Sequence, residues 1–275
     1  AVKMLGALRQ EILFARHQAE HGQAPRWLSV VTLATSHTWE NGKNELSHQD
    51  PTLAEALLGE MSDVSRVMFP VDANSTVAAL RAAYLTHGQF WTMVVPKRPV
   101  PSRLTARQAG RLHSDGAPGG KTPERAVGVV VALGAAQLAH SLLAPQPPGA
   151  GGLATAVTCM LEPGRFRMPR DAREGRFVAS DADLQRLFPA SASARVIVSH
   201  ARPEPMLGLL RRIDTGPHRT VGLGFISRGG TRDVGGMLFA NRCTWAHIVA
   251  TAAPLANADP SSLLTEDELA AGLWR

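Results

Sequence analysis

The densest cluster of chemistry-bearing side chains lies in residues 36–50, which read SHTWENGKNELSHQD. It holds two imidazoles (His37, His48), two asparagines (Asn41, Asn44), the ammonium of Lys43 and the indole of Trp39. Asn44 and His48 are four residues apart, a spacing that puts both on one face of a helical turn. An amide and an imidazole so placed can hold and protonate an oxygenated substrate. The same stretch equally fits an ordinary polar loop, turning at Asn41-Gly42 and entering a helix capped by Asp50 or Thr52. A further cation, Lys97, follows the apolar run 90–96 (FWTMVVP).

Other chemistries find less support. No H-x-x-x-H or C-x-x-C pattern accompanies His37 and His48, so no metal bound by this chain alone is expected. His113, His140 and His247 have no partner spacing and read as helix-surface or core residues. Cys159 and Cys243 stand singly in apolar contexts and read as buried thiols. Two cysteines make no disulfide framework, which points to a reducing, cytoplasmic compartment. There is no G-x-S-x-G elbow, Walker A loop or strand–GxGxxG–helix unit. The glycines at 222, 224, 229, 230, 235 and 236 match no phosphate cradle and read as tight turns rather than ligand contacts.

The 275 residues are 44% hydrophobic and 19% charged, enough for a packed core and for one large or two ordinary domains. Lys and Arg number 29 against 23 Asp and Glu, a net charge of +6. The arginines are scattered without interleaved aromatics, and no helix-turn-helix, zinc knuckle or RNP pattern occurs, which argues against a nucleic-acid partner. A solvated basic surface or a small phosphorylated substrate fits the excess better. The longest apolar run, 126–136, falls short of the roughly 18–20 residues of a membrane span. The first residues form no secretory signal. They open directly on a helical pattern, as expected of a terminus inside a domain.

The elements that must position these side chains alternate. Helices are expected over 3–21, 52–61 and 72–87, with strands over 27–35, 64–71 and 90–96. Such spacing builds parallel sheets with helices on their faces, and ligands bind at the carboxyl ends of the strands. Residues 36–50 and Lys97 both occupy strand exits, so they can meet at one end of the sheet. Residues 98–124 are rich in Pro, Gly, Arg and Ser and read as a linker with a short helix near 105–112. A second α/β unit follows over 125–275. Its strands are expected at 126–133, 154–161, 195–199 and 220–226, and its helices at 135–144, 181–187, 204–213, 244–255 and 265–273.

The segments S-H-T-W (36–39) and S-H-Q-D-P (47–51), Asn44 between them, F-P-V-D-A-N (69–74) and the strand-exit Lys97 give the chain a resemblance to the phosphoketolases. These are thiamine-diphosphate-dependent enzymes of the transketolase superfamily. The resemblance implies an α/β fold of two three-layer units with mostly parallel sheets. Residues 1–97 would be the later part of a transketolase-like pyrimidine-binding (middle) domain, 98–124 a linker, and 125–275 a transketolase-like C-terminal domain. It implies cleavage of xylulose 5-phosphate, and in some members fructose 6-phosphate, by inorganic phosphate to acetyl phosphate, an aldose phosphate and water.

By motif match, His48 would be the general acid/base beside the two-carbon adduct, assisting loss of its hydroxyl. Asn44 would hydrogen-bond the adduct or the attacking phosphate. Lys97 would pair with phosphate as a point charge. Asn41 stands where relatives carry a longer Gln, and Lys43 is a further anion contact. Thiamine diphosphate and Mg²⁺ would be held mainly by an N-terminal part that this chain does not match, which leaves the chain inactive alone. The intact enzyme would be a homodimer or larger. Asp233 lies four residues before Met237 where the family pattern has an adjacent Asp-Met pair, as expected of a divergent branch. The same residues also suit transketolase-like transfer, pentulose-phosphate isomer conversion, or a non-catalytic remnant or partner subunit.

Overall fold

A computed structural model describes residues 2–23, 25–35, 37–40, 51–115, 126–144, 153–226 and 232–273. The chain begins with helix α1 (Val2–Glu20), strand β1 (Val30–Thr35) and a one-turn helix α2 (His37–Glu40). Helix α3 (Thr52–Leu58), strand β2 (Ser65–Met68), helix α4 (Ala73–Tyr84), strand β3 (Phe90–Val95) and helix α5 (Ala106–Asp115) follow. The three strands form a parallel sheet in the order β1-β3-β2. Both outer strands align their first residues with Phe90, as Val30↔Phe90 and Ser65↔Phe90. All three therefore finish at the same end. β2 is buried along its whole length and β3 nearly so, because helices cover both faces of the sheet.

Strand β4 (Gly128–Leu133), helix α6 (Ala135–Ser141), strand β5 (Thr155–Cys159), helices α7 (Ala172–Gly175) and α8 (Asp181–Leu187) and strand β6 (Ala194–Ser199) open the second unit. Helix α9 (Pro203–Leu209), strand β7 (Thr220–Leu223) and helices α10 (Val234–Ala240), α11 (Trp245–Leu255) and α12 (Glu266–Leu273) complete it. Its sheet is also parallel, in the order β5-β4-β6-β7. The near-continuous apolar runs GVVVAL and ARVIVS are its two central strands, buried at every position. No described helix is long and apolar enough to cross a membrane.

The observed elements differ from the sequence expectation in several places, including the following. Residues 27–29 stay outside β1, and Leu28 makes an isolated antiparallel bridge with His87. The helix expected over 204–213 gives way after Leu209 to a 3-10 turn, Arg211–Ile213. Residues 37–40, expected as loop, form α2. The glycine-rich stretch expected as turns contains α10, whose first turn Asp233 caps by accepting from Gly236 N at 2.7 Å. Gly235 and Gly236 lower helix propensity there, but burial of Met237, Leu238 and Ala240 outweighs it.

The two sheets share their core. One apolar cluster joins Ile12, Leu57, Val67 and Phe69 to Val129, Val131, Leu133 and Ile197. Phe69 N donates to Leu161 O at 2.8 Å, which links the exits of β2 and β5. Arg66, on β2, makes a buried two-pronged ion pair with Glu162, with Nη2 donating to Oε2 at 2.7 Å. Its guanidinium lies 4.1 Å from the ring centre of Trp91 and 4.5 Å from that of Phe177. Arg16 pairs with both Asp63 and Asp171.

Candidate functional site

Both proposed strand exits lie at one end of the first sheet. β1 runs past Thr35 into α2, where the Glu40 carboxylate accepts from Lys97 N at 2.7 Å and from Arg98 N at 2.9 Å. The exits of β1 and β3 are thus tied to each other, and exposed Lys97 stands beside the point where residues 41–50 begin. Of the candidate residues, Asn41, Asn44 and His48 lie outside the described residues, as do Lys43 and the expected cap Asp50. Pro51 occupies the cap position of α3, with no side-chain cap bond.

The stems on either side of 41–50 are held by the second unit. Trp39 is fully buried. Its Nε1 donates to His200 O at 2.9 Å, and its ring meets Phe225 edge-on, with centroids 6.3 Å apart. On the far side, Arg202 N donates to Glu55 Oε1 at 2.7 Å and Arg202 Nη1 to Glu55 Oε2 at 2.6 Å. One turn after β6, residues 200–202, therefore grips both stems.

Within F-P-V-D-A-N, Asp72 and Asn74 act as clamps. Asp72 caps α4, with Oδ1 accepting from Ser75 N, and its Oδ2 accepts from Arg103 N and Leu104 N, each at 2.8 Å. Burial alone would raise the Asp72 pKa, but the bonds donated by Ser75, Leu104 and Arg103 hold it below the usual carboxylate value. Asn74 Nδ2 donates to Leu104 O at 2.6 Å. The family-like motif thereby fastens the segment that follows β3 over the start of α4.

Sequence reasoning missed His200. Its ring is fully buried at the exit of β6, 5.8 Å from Phe69 and 6.2 Å from Trp39 between centroids. Neither ring nitrogen has a hydrogen-bond partner among the described residues, and burial pushes the imidazole down to about 4, so it is neutral near pH 7. The available signal was a polar Ser-His pair closing the apolar run RVIVSH. At the exit of β4, Gly134 has φ +109°, and a Cβ there would stand 2.5 Å from Gln137 Oε1. Cys159 and Cys243 are buried as expected, and burial pushes the Cys159 thiol up to about 12. Among the described residues no three His, Cys, Asp or Glu side chains gather as a cation site requires.

Comparison with known proteins adds a family match over part of the chain and a fold over most of it. Residues 1–85 match the family model for D-xylulose 5-phosphate/D-fructose 6-phosphate phosphoketolase. A probable phosphoketolase of Bradyrhizobium diazoefficiens is 32% identical over 87 residues, covering 32% of this chain and 11% of that protein. One of Brucella abortus is 35% identical over 81 residues, covering 30% and 10%. The matched stretch thus spans about a tenth of the length of these relatives. Residues 1–85 carry the phosphoketolase family pattern, as the motifs led one to expect. The fold extends further. Transketolase from Leishmania mexicana superposes with a TM-score of 0.63 at 17% identity, over 86% of this chain and 31% of its own. A split gene transketolase solved as an inactive beta4 tetramer gives 0.57 at 16% identity, over 83% and 67%. The transketolase-like α/β fold, with two parallel sheets, therefore holds across most of the chain.

Proposed function

We propose that this chain is part of a cytoplasmic thiamine-diphosphate-dependent phosphoketolase. The enzyme cleaves xylulose 5-phosphate, and alternatively fructose 6-phosphate, with inorganic phosphate to give acetyl phosphate and an aldose phosphate. The observation that carries this reading is the family match over 1–85, which spans both S-H-Q-D-P and F-P-V-D-A-N. That match sits on a sheet whose β1 exit is tied through Glu40 to the backbone of Lys97.

In this reading His48 moves a proton at the hydroxyl that leaves the two-carbon fragment, a task suited to a group titrating near neutrality. Asn44 and Asn41 hydrogen-bond the substrate or phosphate, and Lys97 attracts the phosphate as a point charge. Thiamine diphosphate would supply the electron sink. In this reading the magnesium–diphosphate end of its site lies outside this chain. Other parts of an intact enzyme, assembled as a homodimer or larger, supply that end. Residues 1–97, 98–124 and 125–275 serve there as the later pyrimidine-binding domain, a linker and the C-terminal domain. The chain is then inactive alone, a behaviour for which the inactive split gene transketolase is a precedent of the same fold.

Assay of acetyl phosphate tests this. The 275-residue chain with thiamine diphosphate, magnesium, xylulose 5-phosphate and phosphate should give none, and measurable turnover would overturn the division of labour. In the intact enzyme, His48→Ala should cut acetyl phosphate release by about a thousandfold while cofactor binding is retained. Loss of cofactor affinity instead would make His48 a cofactor ligand. Lys97→Ala should raise the phosphate KM by roughly tenfold, and an unchanged phosphate dependence would remove it from the site.

A further inference from the structure

A cavity of about 350 Å³ opens at the other end of the second sheet, between α8, the entry of β6 and the turn before β7. That volume is within the range of small-molecule sites. Arg195, the second residue of β6, lines it and is 1% exposed. A buried arginine is ordinarily paired with a carboxylate. Arg195 is not. Nη2 donates to Pro189 O at 2.9 Å, Nη1 makes a long contact to Ala194 O at 3.4 Å, and Nε has no acceptor among the described residues. Burial without a counter-charge pulls its pKa down to about 10, and it stays protonated at neutral pH.

The two carboxylates on the wall are already engaged. Asp181 accepts from Arg212 Nη2 at 2.8 Å, and Asp214 accepts from Gly216 N at 2.8 Å. Phe188, Leu184 and Ile213 supply an apolar wall, and the Gln185 amide adds a donor.

We propose that this cavity binds a phosphate monoester on a small apolar or ring-sized body, with Arg195 as the buried counter-charge. Arg195, Gln185 and the Arg212 N–H groups not donated to Asp181 and Ala179 O together offer donors for three oxygens, more than the two a carboxylate presents. The ester's carbon body lies against Phe188 and Leu184.

Calorimetric titration of the full chain with phenyl phosphate tests this. Saturable binding is expected in about the millimolar range or tighter. Phenol, lacking the charge, and benzoate, lacking the third oxygen, should each bind at least about tenfold more weakly. Arg195→Gln should abolish binding. Should that variant not fold, Ala190→Glu decides: Ala190 is an exposed rim residue, and a carboxylate there should weaken phenyl phosphate by about tenfold or more. Three outcomes overturn the proposal: no saturable heat up to about 10 mM, phenol or benzoate matching phenyl phosphate, or wild-type affinity in Ala190→Glu.

Discussion

An imidazole with no hydrogen-bond partner, packed between an indole and a phenyl ring, should behave as an apolar side chain while it is neutral. His200 is in that position, and its ring nitrogens give up hydration without replacement. Replacing it with Leu should therefore change stability at pH 7 by no more than about 1 kcal/mol, or increase it. The pH dependence separates the two proteins. The folded-state pKa is pushed down by burial from the usual imidazole value of 6.5 to about 4, so between those values the unfolded chain binds more protons. Stability is full above about 6.5 and falls as the pH drops toward 4. At pH 5 the loss from this one group should be about 2 kcal/mol. Urea denaturation at pH 7 and pH 5 should show His200→Leu losing less on acidification than the parent. His247, also pushed down to about 4 with burial the largest cause, keeps part of the slope in both proteins. Equal acid sensitivity of parent and variant would mean that the ring finds a proton acceptor in the folded state.

The strand exits depend on backbone as much as on side chains. Gly134 turns the chain from β4 into α6 at φ +109°, a region that strains any L side chain, and its missing Cβ leaves room for Gln137. Gly134→Ala should destabilise the protein by roughly 1–3 kcal/mol, read as a lowered urea midpoint at unchanged slope. An unaltered midpoint would show that the turn relaxes freely. At this scale much was legible in the sequence. Runs such as GVVVAL and ARVIVS announce strands buried on both faces, and the alternation of helix and strand leaves parallel pairing as the economical topology. Lys97 was legible as a strand-exit residue because it directly follows such a run. Helices α2 and α10 were not. α2 has four residues, and its stability comes from Trp39 reaching His200, 161 positions away. α10 carries two glycines that argue against a helix until its burial is known. The grip of residues 200–202 on both stems of 41–50 was likewise illegible, because it joins residues that only the packing of two sheets brings together.

The whole molecule is held across its two sheets by charges as well as by the shared core. Glu174 has a fully buried side chain. Burial pushes its pKa up, but the Arg170 side chain, Ser62 N and Arg170 N donate to it, and Arg167 adds attraction, so it falls to about 2. Its contribution is present above the unfolded carboxylate value and is lost as the pH falls toward 2, below the window in which His200 acts. The Arg66–Glu162 pair is the more direct test of how the units are joined, because it lies between the sheets with both side chains buried. Glu162→Ala leaves the guanidinium between Trp91 and Phe177 with no counter-charge, which should cost about 3–5 kcal/mol. The double variant Arg66→Met/Glu162→Leu removes both charges and keeps the volume, so it should recover most of that loss, to within about 1–2 kcal/mol of the parent. If the pair acts only by neutralising itself, both variants should still unfold in one transition, because the joint apolar cluster remains. If instead Glu162→Ala splits the denaturation curve into two transitions while the double variant keeps one, the ion pair governs the coupling of the two sheets. Two transitions in both would make the fixed geometry of the two-pronged pair the coupling element, one that apolar packing of equal volume does not replace.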